Sequence, residues 1–155
     1  MLRCTPFLLF DGNCAKAMTF YHNCLGGKLA LTKLKDTPMK EQFPKEKHGR
    51  IIYAQLKSGA IEISATDWMA SPWFEPKQGN TTAIYVIDGS FNEMKMVFDK
   101  LAKGADKERL QELHEMPFGI YGQLYDKYGM QWIFKCDKTA KPKARSANKK
   151  KEIAS

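Results

Sequence analysis

No stretch of the 155-residue chain is apolar for anything near the roughly 20 residues that a membrane-spanning helix needs. The N-terminus, MLRCTPFLLFDGN, has too short an apolar run for a secretory signal. Cytoplasmic residence and no membrane partner are therefore the expectation. Cysteine is scarce, at four, and no C-x-x-C is present. Cys14 and Cys24 lie ten positions apart on one predicted helix, about 15 Å along its axis, whereas a disulfide needs Cα atoms within roughly 7 Å. Cys4 and Cys136 pair only if their strands are neighbours, so four buried or half-buried free thiols are expected. Histidine is scarcer still. His22 on a helix, His48 in a charged loop and His114 near a loop are not spaced as a metal set and read as solvated. None is placed beside a cysteine, which leaves no activated thiol nucleophile. A G-x-G-x-G turn is also missing, and with it the usual cradle for S-adenosylmethionine on a parallel α/β sheet.

Acidic charge is in deficit, 17 residues against 25 Lys and Arg, for a net charge of +8. The excess is concentrated: Asp137 to Ser155 holds seven Lys or Arg against two acids, a net of +5 (7 − 2). From Thr139 to Ser155 the only large aliphatic is Ile153. Such a segment cannot offset the roughly 1–2 kcal/mol of backbone entropy lost per ordered residue. A disordered basic tail over 138–155 is expected, either solubilising or tethering nucleic acid or another polyanion. The domain itself offers nucleic acid no basic and aromatic platform.

What is present is a duplicated unit. PFLLFDGNCAKAMTFYHNCLGGKL, Pro6 to Leu29, reads as a strand buried on both faces, an Asp11-Gly12-Asn13 turn, an amphipathic helix and a double-glycine stop. Asn13 can cap that helix and Gly26 can end it. Thr81 to Gly104 repeats the plan, with Asp11-Gly12 and Asp88-Gly89 77 positions apart (88 − 11). Ser90 and Glu93 form an S-x-x-E capping box, followed by a stripe of Met94, Val97, Phe98 and Leu101.

Between the copies, Lys28–Lys33 alternates as a strand. Lys35 to Arg50 is charged and should be an exposed, mobile loop. Arg50–Lys57 and Ala60–Thr66 flank a Ser58-Gly59 hairpin signal. Asp67 to Gly79 is an aromatic, proline-containing linker. In the second copy, Thr82–Ile87, Lys107–His114, Ile120–Tyr125 and Met130–Cys136 are the predicted strands. The fold class is therefore α+β, two β-α-β-β-β modules forming curved mixed sheets around a cleft. One domain spans 1–137, with module 1 at about 4–67, a linker at 68–80 and module 2 at about 81–137.

The ordered set FDGN, A-x-x-FY, L-GG and DKYG, on a paired β-α-β-β-β plan from Thr5 to about Cys136, resembles the vicinal oxygen chelate superfamily. That group includes glyoxalase I, the fosfomycin- and bleomycin-resistance proteins and the extradiol dioxygenases. The pattern is most similar to the PhnB-like branch, often labelled a 3-demethylubiquinone-9 3-methyltransferase domain. The resemblance implies a divalent-metal site with ligands at Thr5 or Pro6, Glu62, Thr82 and Ile133. One carboxylate and one threonine hydroxyl are a poor donor set for Mg²⁺, Mn²⁺, Zn²⁺ or Ni²⁺. No metal and no cofactor are therefore expected, and the missing glycine-rich turn argues against methyl transfer.

The resemblance also implies that the MPFGIYG segment runs along the cleft, which makes Phe118 and Tyr121 wall residues, with Thr82, Tyr125 and Trp132 belonging to the same question. Trp68, Trp73 and Phe74 either clamp a planar ligand or pack a module junction or dimer contact. Glu62, a lone carboxylate among aromatics, is either a general base or a solvated edge residue. A homodimer follows from the family arrangement and from the apolar linker. Three readings stand: a protein binding a small hydrophobic or planar molecule, an isomerase, lyase or transferase using Glu62 without the family metal, and an interaction scaffold working through its tail.

Overall fold

Phe7–Phe10 forms strand β1, Cys14–Leu25 helix α1, Lys28–Lys33 β2, Ile51–Ser58 β3 and Ile61–Asp67 β4. Ile84–Val86 is β5, Phe91–Leu101 α2, Gln111–Met116 β6, Gly119–Tyr125 β7 and Gln131–Cys136 β8. The computed structural model describes residues 1–138, so the expectation of a disordered tail lies outside the described residues. The chain divides into two compact units, Met1–Gln78 and a second from Gly79. Unit 1 has the sheet order β1-β4-β3-β2 and unit 2 the order β5-β8-β7-β6. In each, the first strand pairs parallel with the last and the other pairs are antiparallel. Two four-stranded mixed sheets, each with one helix, make an α+β fold that repeats its topology as the sequence repeat requires. Among the described residues no helix is long and apolar enough to cross a membrane.

In unit 1 the helical periodicity buries Cys14, Ala17, Met18, Phe20, Tyr21 and Cys24. These meet Ala54, Leu56, Ile63 and Ala65, which alternate onto the same side of β3 and β4. Asn13 does not cap the helix: its backbone sits at φ −107°, ψ 16°, and its side chain makes no cap hydrogen bond. The capping acceptor is Asp67, expected to open a linker but found as the last, buried residue of β4. Its Oδ1 accepts from the backbone N–H groups of Gly12 at 2.8 Å and Cys14 at 3.0 Å, and Oδ2 accepts from that of Ile51 at 2.9 Å. At the far end, Gly26 takes φ +75° and its N–H donates to the His22 carbonyl. A Cβ on Gly27 would stand 2.1 Å from the Lys57 carbonyl oxygen, so only glycine lets the chain pass.

Three expectations change. β1 is not buried on both faces: it is an edge strand covered on one side, so Phe10 is buried while Phe7 is 59% exposed. The charged stretch after β2 is exposed but built, as three short 3₁₀ turns over Leu34–Asp36, Pro38–Gln42 and Lys45–Lys47. His48 is part of that construction, its Nε2 bonded at 2.9 Å to the Lys40 carbonyl and 3.0 Å to that of Phe43. Arg50 ties the stretch down by donating to the Asp11 carboxylate at 2.7 Å and the Trp68 carbonyl at 2.6 Å. The run Lys107–His114 splits into a 3₁₀ turn, Lys107–Arg109, and the start of β6. Asp106 accepts from the Glu108 N–H and the Arg109 guanidinium and so favours the turn.

In unit 2 the capping box is complete, with Ser90 and Glu93 each accepting from the other's backbone N–H. Those bonds hold the Glu93 carboxyl below its usual range. Met94, Phe98 and Leu101 of α2 are buried, and Phe98 meets Phe134 edge-on at 5.3 Å between ring centroids.

The four cysteines are free, but Cys4 is exposed rather than half-buried. Burial first, and the Asp67 charge second, push the Cys14 thiol up to about 12, and burial likewise raises Cys136. One thiol, Cys4, is expected to react with Ellman's reagent within minutes in native protein. Cys14, Cys24 and Cys136 are expected to react only in denaturant. Two or more fast thiols would contradict this packing.

Candidate functional site

Strand alternation gives each sheet one face against its helix and one face away from it. In unit 1 the face away from α1 carries Phe7 and Leu9 of β1, Tyr53, Gln55 and Lys57 of β3, and Glu62, Ser64 and Thr66 of β4, as the register requires. Glu62 lies where the sequence places it, but it is not a lone carboxylate. The Arg3 guanidinium donates to one oxygen and the Gln55 amide donates to the other at 2.9 Å. Its side chain is 15% exposed. Two donors hold both oxygens and fix the carboxylate in place.

The tryptophans of this unit part company. Trp68 is anchored just beyond β4: its N–H donates to the Phe10 carbonyl, its indole donates to the Ser71 carbonyl at 2.7 Å, and the Lys47 ammonium sits 4.8 Å over its ring. Trp73 and Phe74, on a one-turn 3₁₀ segment, are 89% and 69% exposed.

In unit 2 the face away from α2 carries Tyr85, Tyr121, Gln123, Ile133 and Lys135. Phe118 and Tyr121 stand together, edge to face at 6.0 Å. Thr82 is exposed just ahead of β5. Trp132 belongs elsewhere: it is 1% exposed, it alternates to the α2 side of β8, and its indole donates to the Asp126 carboxylate at 2.8 Å. It is a core residue and not part of that wall. Tyr125 is buried under the Arg109 guanidinium, 3.8 Å from its ring centroid.

A groove of about 350 Å³ opens on unit 2, lined by Tyr85, Ile87, Asp88, Gly89, Lys135, Cys136 and Asp137. One of its lining residues, Lys135, is the direct cross-strand partner of Tyr121. Asp88 at the groove takes φ +65°, the one left-handed non-glycine among the described residues. In the first copy Gly12 takes that role at φ +92°.

His114, read from the sequence as solvated, is exposed, but the register places it beside Tyr121. A bulge sets Glu112 and Leu113 of β6 opposite Gly122 of β7, with Gln111 paired to Gln123 and His114 to Tyr121. Three residues apart, Gln111 and His114 would fall on opposite faces of a regular strand. The extra residue brings both onto the Tyr121 face. Gly122 makes room for it, since a Cβ there would meet Leu113 at 2.8 Å. The His114 ring stands edge-on to Tyr121 at 6.1 Å.

The positions at which the resemblance implied metal ligands, Thr5 or Pro6, Glu62, Thr82 and Ile133, carry a mismatched donor set. Pro6 offers only its carbonyl, which already accepts from Ser64 at 3.1 Å. Ile133 offers nothing, Thr82 a hydroxyl, and the Glu62 oxygens are both engaged.

The family model described as 3-demethylubiquinone-9 3-methyltransferase matches residues 2–134. Protein YjdN of Escherichia coli strain K12 is 27% identical over 142 residues, covering 83% of this chain and 91% of that protein. Among solved structures, protein PA1353 from Pseudomonas aeruginosa superposes with a TM-score of 0.74 at 28% identity, over 88% of this chain and 98% of that one. A glyoxylase/bleomycin resistance protein/dioxygenase domain from Frankia shares the fold at a TM-score of 0.59 and 15% identity, over 88% of this chain and 98% of that one.

Proposed function

Because the chain belongs to the 3-demethylubiquinone-9 3-methyltransferase family, the PhnB-like branch of the glyoxalase and bleomycin-resistance superfamily, we propose that it is a metal-free binding protein. It holds a small hydrophobic or planar molecule in a cleft of a homodimer. The observation that carries this reading is on unit 2, where Tyr121, edge to face with Phe118, is the cross-strand partner of Lys135, which lines a groove of about 350 Å³. Pockets of roughly 300–1,000 Å³ lined by aromatic residues with a few polar groups are typical of small-molecule sites.

The donor chemistry supports the metal-free part, since one engaged carboxylate and one hydroxyl do not make a Lewis-acid site. An enzyme working through Glu62 would need that carboxylate free, and Arg3 and Gln55 hold it. Methyl transfer, which the family description names, finds no support in the architecture. Each sheet has a single parallel pair, and no glycine-rich turn follows a strand. Trp73 and Phe74 are the apolar surface we assign to the contact with a second copy, because fully exposed aromatics on a short turn are the usual anchors of an interface.

Protein purified without chelator is expected to carry less than about one-tenth of an equivalent of Ni, Zn, Mn or Fe, and to melt at the same temperature with and without EDTA. Light scattering at tens of micromolar is expected to give the dimer mass. A planar library should contain compounds that raise the melting point of the wild type but not of Tyr121→Ala. A stoichiometric metal lost on Glu62→Ala, or a library without hits, would overturn the reading.

A further inference from the structure

We infer that the face of unit 2 turned from α2 reads a hydroxyl group: its ligand is a neutral planar aromatic compound whose hydroxyl donates to Nε2 of His114 while the ring packs against Phe118 and Tyr121. The inference rests on the binding reading above and names the ligand class. It begins with the His114 ring, whose Nδ1 lies 2.7 Å from the Glu112 carbonyl. A carbonyl only accepts, so Nδ1 is the donor here, and the tautomer this geometry selects presents Nε2 as an acceptor. The carbonyl belongs to the bulge itself, so the same irregularity that turns His114 onto this face also fixes its tautomer. His114 is exposed, and beside it Tyr121 is half-buried and Phe118 is 54% exposed.

The other polar groups on this face set the ligand's charge. The Tyr121 hydroxyl donates to Oε1 of Gln123 at 3.0 Å, which leaves the Gln123 amide N–H groups as donors to a ligand oxygen. Lys135, the cross-strand partner of Tyr121, is a cation on this face. The Asp137 carboxylate lies 3.8 Å from its ammonium and Asp88 lines the same groove, so this face has no surplus positive charge. An anionic ligand would gain nothing there. A neutral donor meets the His114 acceptor beside the aromatic pair, and a compound without a donor leaves that acceptor facing a ring.

The test uses full-length protein and three probes sharing one ring system: 2-naphthol, 2-methoxynaphthalene and 2-naphthoate, titrated by fluorescence. Wild type is expected to bind 2-naphthol about tenfold more tightly than 2-methoxynaphthalene, the worth of one hydrogen bond in a partly dry site. It should bind 2-naphthoate no more tightly than the ether. His114→Phe, which keeps a ring beside Tyr121 but removes the acceptor, is expected to abolish the preference for 2-naphthol over the ether. His114→Gln, which keeps an acceptor, should retain part of it. A preference below about twofold in wild type, or one that survives in His114→Phe, overturns the assignment while leaving the binding reading intact. If none of the three probes binds, both fall. If 2-naphthoate binds best, the face reads an anion and the assignment is wrong.

Discussion

Asp67→Ala is expected to cost about 3–5 kcal/mol of stability, because it leaves three backbone N–H groups inside unit 1 without their acceptor. Asp67 is 2% exposed, and its carboxylate joins the turn before α1, the first residue of α1 and the start of β3. No neighbouring side chain can take over. Asn13 sits at the helix start in a conformation that makes no cap bond, and Asp11 is engaged with Arg50. Asp67→Asn should fall between wild type and alanine. Its amide oxygen can keep Gly12 and Cys14, but its NH₂ would face the Ile51 N–H. Urea unfolding followed by circular dichroism measures this. A loss below about 1 kcal/mol for the alanine variant would mean that the three bonds are individually replaceable by water.

Trp132→Ala is expected to cost a similar amount, about 3–5 kcal/mol, through the cavity it leaves between β8 and α2. It also removes the indole donor from Asp126, although the backbone N–H groups of Tyr128 and Met130 still bond that carboxylate. A drop in melting temperature on the order of 10 °C follows. Ligand affinity below the transition should be preserved, because Trp132 faces the helix and not the Tyr121 side. If the variant melts normally but binds nothing, Trp132 is a wall residue after all.

Trp132 shows why the site was less legible in the sequence than the fold. The fold rests on local signals: the apolar spacing of α1, the Ser90–Glu93 box, the glycine stops and the repeated order of elements. These survive folding because each depends on residues a few positions apart. In QWIFKC, by contrast, the run from Gln131 to Cys136 has aromatics at Trp132 and Phe134 and an aliphatic between them, so either face could be the buried one. A one-residue shift of phase moves every side chain to the other side of the sheet. The register with β5 and β7 decides it, and that register is set by tertiary pairing.

His114 was hidden for a related reason. The bulge at Glu112–Leu113 breaks the alternation from which its face would be read. Asp67 was hidden by distance, since it caps a helix whose first residue lies 53 positions earlier. Glu62 was placed correctly by alternation, but nothing in the sequence links it to Arg3, 59 positions away.

The central claim is that the sheet faces turned away from the helices bind a planar molecule. The most direct measurement is a ¹H–¹⁵N correlation titration of full-length protein with 2-methoxynaphthalene, which needs neither metal nor a hydroxyl. Progressive, saturable shifts are expected at Phe118, Tyr121, Gln123 and Lys135, with the residues on the outer side of α2, such as Lys95 and Asp99, unmoved. An absence of shifts at that face up to the solubility of the probe, or shifts confined to the helices, would contradict the account.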